Sequence, residues 1–334
     1  MRHRRATIDD VAKLAGVTKG TVSRVLKGTY QVSEKTSQAV HHAATQLHYT
    51  PMRQALALAT GRTNTIGIVI TEPFDLLFED PTFRTIIKGI FSYIASGELI
   101  PILLQATNHR EQEKTLQLAT NRGVDGLIHL SPWGDTFLLD ALQDCRIPTV
   151  LCGQLPEEKY KGHFSAVYAS DFQGGKQIAE YLKHKGIKHP CAILGDSDQP
   201  ASLDRLRGFQ HVFPKLTTNR HVYFRDWTTI GGYEGVKHLF RREVQFDGLL
   251  CGSDRIARGA LIALREAGIE VPAEVRVTGY DDGKIADDTP GLTTIAQPME
   301  TQGQDAVKLL ISLMANNDPE TIVLPTKLVI RQTA

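Results

Sequence analysis

The sequence predicts an α/β protein with a small helical head and two doubly wound lobes. Three observations carry that prediction. Residues 7–47 hold three short amphipathic helical patterns and no strand-like run. From Thr65 onward, nine short apolar runs alternate with helical stretches, as parallel strands covered on both faces do. Charge is split between the two parts. Residues 1–62 carry ten Lys/Arg and three Asp/Glu, a net of +7, and the remainder carries 28 bases and 34 acids, a net of −6.

The head is read first. In Thr7–Leu26, Thr7 and Asp10 have the spacing of a capping box. Ile8, Val11, Ala12, Leu14 and Ala15 recur at helical spacing and predict one apolar face. Gly16 can end that helix in the left-handed conformation. Val17 fills the core and Thr18 caps a second helix, which turns Val22, Val25 and Leu26 inward. Lys19, Gly20, Ser23, Arg24 and Lys27 are left outward. This is helix-turn-helix geometry, whose second helix enters a DNA major groove. Ser33 caps a third helix, with Glu34 in its first turn. Ala39, Val40, Ala43, Ala44 and Leu47 give it an apolar stripe, and Tyr49-Thr50-Pro51 ends it. A basic head with this motif on an acidic body is the footprint of a polyanion binder.

Met52–Ala59 is too short to be a stable helix alone, so it is a linker or a helix that needs ordering. Strands are then expected at 65–70, 99–105, 126–130, 148–153, 165–170, 191–195, 221–226, 247–252 and 275–280. Helices fill the gaps, ending with Gln302–Met314. Nine strands suit two lobes better than one sheet. A cleft between two such lobes, at the carboxyl ends of the strands, is the expected ligand site.

Several functions are excluded. No run of eighteen apolar residues is present, so no membrane span is expected. MRHRRATIDD has no apolar h-region, so no signal peptide is expected. The four cysteines lie far apart without C-x-x-C, and read as reduced thiols of a cytoplasmic protein. TEPFDL follows the first core strand where a nucleotide-binding turn would need G-x-G-x-x-G. Neither a P-loop nor a G-x-S-x-G elbow occurs, and the twelve histidines form no H-E-x-x-H. The chain is read as neither an enzyme nor a metal or cofactor protein.

Nine ordered motifs then make the reading specific. They are ATIDDVAKLAGVTKGTVSRVLKG, VSEKTSQAVHHAATQLHYTP, TGRTNTIGIV, GVDGLI, IPTVL, DRLRGF, LLCGSDRIARGAL, VPAEVRVTGYDD and LTTIAQP. With them the whole chain resembles the lactose/galactose-repressor (LacI/GalR) family of bacterial transcription regulators. The resemblance implies a helix-turn-helix DNA-binding domain (residues 1–50), a hinge helix (51–63) and a core like the periplasmic sugar-binding proteins. It sets the core N-subdomain at 64–165 and 297–320, and the C-subdomain at 166–296 and 321–334.

By the family pattern, Lys19, Gly20 and Arg24 stand at base-reading positions and Thr21 and Ser23 at phosphate contacts. Thr7 and Thr18, at the helix starts, complete the DNA-facing set within the head. Arg suits guanine O6/N7, and Gly20 offers no side chain. Ala55 and Leu58 fall on the hinge pair that wedges into the minor groove. Met52 and Leu56 depart from the hinge pattern. In the cleft, Trp227 matches the aromatic that stacks on the effector, while Arg205 and Asp281 match its polar anchors. Ser253 replaces the commoner Asn. Phe74, Asp75, Phe83 and Trp133 follow strands and would line the opposite wall, although Phe83 would serve equally well as core.

The resemblance implies a cytoplasmic homodimer on a near-palindromic double-stranded operator, with no membrane role. A sugar or sugar derivative in the cleft would control it, repressing carbohydrate-utilisation genes. The family's leucine-heptad tail is not seen after LVIRQTA. Alternatives are a catabolite-control-type regulator switched by a partner protein, and a sugar-binding receptor with no regulatory role.

Overall fold

The computed structural model describes residues 6–27, 32–49, 61–73, 81–134, 136–217, 220–284, 286 and 291–334. The chain divides into two compact units after Thr63.

In the first unit, helix α1 (Ile8–Ala15) starts at a reciprocal cap. The Thr7 hydroxyl accepts from the Asp10 N–H at 3.3 Å, and the Asp10 carboxylate accepts from the Thr7 N–H at 2.8 Å. Gly16, at φ +65°, ends the helix in the left-handed region that favours glycine. Thr18 Oγ1 accepts from the Thr21 N–H at 3.2 Å and caps α2 (Lys19–Lys27). Ser33 Oγ accepts from the Thr36 N–H at 3.3 Å and caps α3 (Glu34–Gln46). Val11, Ala12, Val22, Val25, Val40, Ala43 and Ala44 form the shared core. Leu14, expected on the apolar face, is instead 48% exposed. At 100° per residue it lies about 120° round from Ile8, at the edge of the stripe. The third helix also stops earlier than Pro51 would dictate: His48 turns left-handed at φ 48°.

The second unit alternates strands and helices. Its first part runs β1 (Thr65–Ile70), α4 (Pro81–Ile94), β2 (Ile100–Gln105), α5 (His109–Thr120), β3 (Gly126–Leu130), α6 (Phe137–Cys145), β4 (Thr149–Cys152) and β5 (Ser165–Ala169). The chain then continues through α7 (Asp171–His184), β6 (Pro190–Leu194), α8 (Pro200–Val212), β7 (Val222–Phe224) and α9 (Thr229–Arg241). Next come β8 (Gly248–Cys251), α10 (Asp254–Glu266), β9 (Arg276–Thr278) and β10 (Thr294–Ala296). It closes with α11 (Met299–Met314), β11 (Thr321–Leu324) and β12 (Lys327–Val329).

Two parallel sheets result. The first has the order β11-β5-β4-β3-β1-β2 and the second β7-β6-β8-β9. β10 and β12 pair antiparallel, and bridges Thr278–Thr293 and Asp281–Ala296 join β10 to the β9 edge of the second sheet. The strands are apolar because helices cover both faces: β3 and β4 are buried throughout.

The expected subdomain limits are corrected here. β5 pairs with β4 (Leu151 opposite Ala166), and β11 pairs with β5, so both belong to the first sheet. The expected limits had put residues 166–169 and 321–324 in the second lobe. The chain changes lobe after Ala169, after Ala296 and again after Leu324. Two of these crossings are tied together, since the Ser170 N–H donates to the Leu324 carbonyl at 2.9 Å. Helix pairs brace both lobes through glycine contacts. A Cβ at Gly89 of α4 would lie 2.1 Å from the Glu300 carbonyl of α11. Gly232 of α9 abuts Ile256 of α10 in the same way. Such contacts fix where the first turns of the helices lie, and those turns build the cleft.

Three cysteines, Cys152, Cys191 and Cys251, are buried free thiols, and Cys145 is exposed. Burial pushes Cys152 and Cys191 up to about 12, so neither is a nucleophile at neutral pH. Among the described residues, no helix is long and apolar enough to cross a membrane.

Candidate functional site

Two sites were expected, one in the head and one in the core. In the head, Lys19, Gly20 and Arg24 are exposed on α2, Thr21 and Ser23 are half-buried, and Thr18 is exposed at the cap. The apolar spacing of Val22 and Val25 forces this, because their burial turns the other face outward. Thr7 is committed to its capping box. Lys19 Nζ lies 2.6 Å from the Asp9 carboxylate in an exposed pair, which solvent screens and DNA can displace. Arg24 Nε donates to the Gly20 carbonyl at 3.1 Å. A side chain at position 20 would start 3.7 Å from Arg24 Nη2. That is ordinary van der Waals contact, so the guanidinium lies back along the helix beside position 20. Ala55 and Leu58, together with Phe74 and Asp75, lie outside the described residues.

In the core, a cavity of about 290 Å³ opens between the two lobes at the carboxyl ends of the strands. Phe83, Trp133, Arg205, Trp227, Ser253 and Asp281 all line it. These residues come from six different stretches of chain, brought together by the two sheets. Phe83 and Trp133 stand on the first lobe and the other four on the second. Phe83 lines the cavity and also packs on the first lobe's core.

Arg205 organises the second-lobe wall. It is 5% exposed. Its Nε donates to Asp171 Oδ1 at 2.8 Å and its Nη1 to the Gly252 carbonyl. The guanidinium carbon lies 3.8 Å from the Tyr280 ring centre and 5.2 Å from that of Trp227. Two ring faces and a carboxylate stabilise the buried charge. Two of the guanidinium nitrogens of this expected polar anchor are therefore engaged within the protein. Asp281 Oδ1 lies 3.9 Å from Arg205 Nη1 and accepts from Gln297 Nε2 at 2.7 Å. Its φ of 117° is left-handed for a non-glycine residue, and such strain gathers at functional sites. Asp254, buried beneath it, accepts from Thr294 Oγ1 at 2.6 Å and from the Gly283 N–H at 2.9 Å. Burial, and then the charge of Asp281, raise the Asp254 pKa well above the usual carboxylate range.

Trp227 is held in place. Its Nε1 donates to Gln199 Oε1 at 2.7 Å. A Cβ at Gly195 would lie 2.0 Å from the indole, so only glycine lets the ring rest on the end of β6. Ser253 lines the cavity and also caps α10: its Oγ accepts from the Ile256 N–H at 3.2 Å. Several lining residues were not anticipated, among them Gln154, Asp171, Asp196, Gln199, Asp226 and Gln297. All six follow a strand or open a helix, so a reading of strand ends would have found them. Gln154 also ties the lobes together, its Nε2 donating to Asp204 Oδ2 at 2.7 Å.

Comparison with known proteins agrees with this architecture. Residues 7–52 match the model of bacterial regulatory proteins, lacI family, and residues 179–334 match that of the periplasmic binding protein-like domain. The HTH-type transcriptional regulator CelR of Thermobifida fusca is 32% identical over 99% of both chains. The HTH-type transcriptional repressor PurR of Proteus mirabilis is 32% identical over 98% of this chain and 96% of its own. The chain belongs to the lacI family. A solved CelR–cellobiose complex superposes with a TM-score of 0.77 at 30% identity, covering 99% of this chain and all of the other. The lac repressor dimer bound to operator and the anti-inducer ONPF shares the fold, with a TM-score of 0.84 at 24% identity over 99% of each chain. The helix-turn-helix of this lacI-family protein lies within the first match, and the second-lobe wall of the cleft lies within the second.

Proposed function

We propose that this lacI-family protein is a cytoplasmic, non-enzymatic repressor that binds a near-palindromic operator as a homodimer. A sugar-like effector in the interlobe cleft controls it, and the regulated genes serve carbohydrate use. One observation carries this reading: an exposed Lys19–Gly20–Arg24 face on a helix-turn-helix shares a chain with a cleft that gathers Trp133, Trp227 and Asp281. The first is suited to base edges. The second offers flat apolar faces and acceptors to a ring bearing hydroxyls. The CelR–cellobiose relative supports a sugar as the effector class. The chain's three lobe crossings are where closure would be absorbed.

A gel shift on the DNA upstream of the protein's own gene tests the reading. The full chain retards that DNA at low nanomolar concentration, and unrelated DNA of equal length does not compete. Equal retardation of both would refute operator recognition.

A further inference from the structure

Six helices, α4 and α7 to α11, present a cap or first-turn residue to the cleft: Thr82, Asp171, Pro200, Thr228, Ser253 and Gln302. Helix N-termini with unpaired N–H groups are ready sites for phosphate or carboxylate. In this chain several donors at these ends are removed or already used. α4 and α8 open on Pro81 and Pro200, and Pro298 precedes α11; proline has no N–H. At α9, Thr228 Oγ1 takes the Gly231 N–H at 3.0 Å, and Asp226 Oδ1 takes the Thr228 N–H at 3.0 Å. At α10, Ser253 takes the Ile256 N–H, and the Asp254 N–H donates to the Tyr280 carbonyl at 2.7 Å. α7 opens on the carboxylate of Asp171.

The side chains point the same way. Five carboxylates line the cavity (Glu72, Asp171, Asp196, Asp226 and Asp281) against two guanidinium groups, Arg205 and Arg255, a net of −3. Arg205 is already matched to Asp171. Negative charge accumulates on the second-lobe wall, where partial burial and then the charges of Asp198 and Asp226 hold Asp196 above its usual value. An entering phosphate would meet net like charge, with Arg205 already paired to Asp171 and several helix-end donors engaged. A neutral polyol needs acceptors for its hydroxyls and flat faces for its C–H groups, and both are present.

We propose that the cleft takes an uncharged mono- or disaccharide and excludes the phosphorylated or acidic form of the same sugar. This rests on the cleft being the effector site.

The chain's two tryptophans, Trp133 and Trp227, both line the cavity, so intrinsic fluorescence of the full-length protein reports binding without a label. Glucose, galactose, maltose and cellobiose are titrated against glucose 6-phosphate, galactose 6-phosphate, maltose 6′-phosphate and gluconate. At least one neutral sugar saturates the signal, and its charged counterpart binds about tenfold more weakly or worse. In the near-isosteric double variant Asp196→Asn/Asp226→Asn that ratio shrinks by about threefold or more. A charged member that binds as tightly as its parent overturns the proposal. So does the absence of any response to neutral sugars at millimolar concentration. Gel shifts of the same unliganded samples report separately on operator binding, so failure of the regulator reading is distinguishable from failure of the sugar assignment.

Discussion

His129 makes acid stability a quantitative test of the first lobe. It sits in the middle of a fully buried strand, with Val69 and Leu151 as its neighbours across the sheet. It is 2% exposed, and its Nδ1 has no hydrogen-bond partner. Burial lowers its pKa from 6.5 to about 4. The folded state therefore binds this proton less readily than the unfolded chain, and the neutral imidazole is the folded form. The stability it supports is complete above about pH 6.5 and is lost as pH falls towards about 4. At roughly 1.4 kcal/mol per pH unit the whole interval is worth about 3 kcal/mol, of which about 2 kcal/mol is lost by pH 5. His129→Leu keeps an apolar side chain of similar bulk and removes the titration. Urea unfolding of the core is measured for both proteins at about pH 7.5 and about pH 5. The wild-type protein should lose about 2 kcal/mol more than the variant between these conditions. His221 and His238, also lowered by burial first and then by neighbouring positive charge, are common to both and cancel. Equal acid losses in the two proteins would refute the account of this histidine.

Other predictions concern the two sites. Trp227→Ala should cost about 1–3 kcal/mol of sugar binding, read from the remaining Trp133 emission; unchanged affinity would mean that Trp227 does not contact the sugar. Gly195→Ala places a Cβ 2.0 Å from the same indole, so it should displace the ring, shift its emission and weaken sugar binding, all without touching the ligand. Arg24→Ala should cost about 1–3 kcal/mol of discrimination between operator and random DNA while leaving sugar titrations unchanged; footprints as sharp as wild type would count against α2 as the reading helix. Thr7→Ala removes the hydroxyl that accepts from the Asp10 N–H, leaving the Thr7 N–H to the Asp10 carboxylate, and should lower the head's stability by about 1 kcal/mol in thermal unfolding.

Local chemistry made the elements legible. The capping residues Thr7, Thr18 and Ser33, and the left-handed Gly16, act within one helical turn, and all are found where their spacing places them. Long apolar runs such as TIGIVI and GLIHL read as buried strands for the same reason. What depended on distant pairing was less visible. β10, β11 and β12 are only three or four residues long, so no local period marks them. Membership of β5 and β11 in the first sheet follows from their partners, not from their composition. In the cleft, residue type and family position located Trp227, Arg205 and Asp281. They did not show that Asp171 and Gly252 hold Arg205, or that the Ser253 oxygen accepts a helix-cap bond. Those facts arise where α7, α8 and α10 meet, and only the assembled lobe contains them.

The central claim is that cleft and head are coupled, and coupling between two binding sites must be reciprocal. The decisive measurement is the affinity of the full-length protein for the neutral sugar selected above, with and without saturating operator, read by tryptophan emission. It is paired with the operator affinity with and without that sugar. The account predicts that the two ratios are equal and lie at about fivefold or more. Sugar affinity that is the same on and off the operator would contradict it.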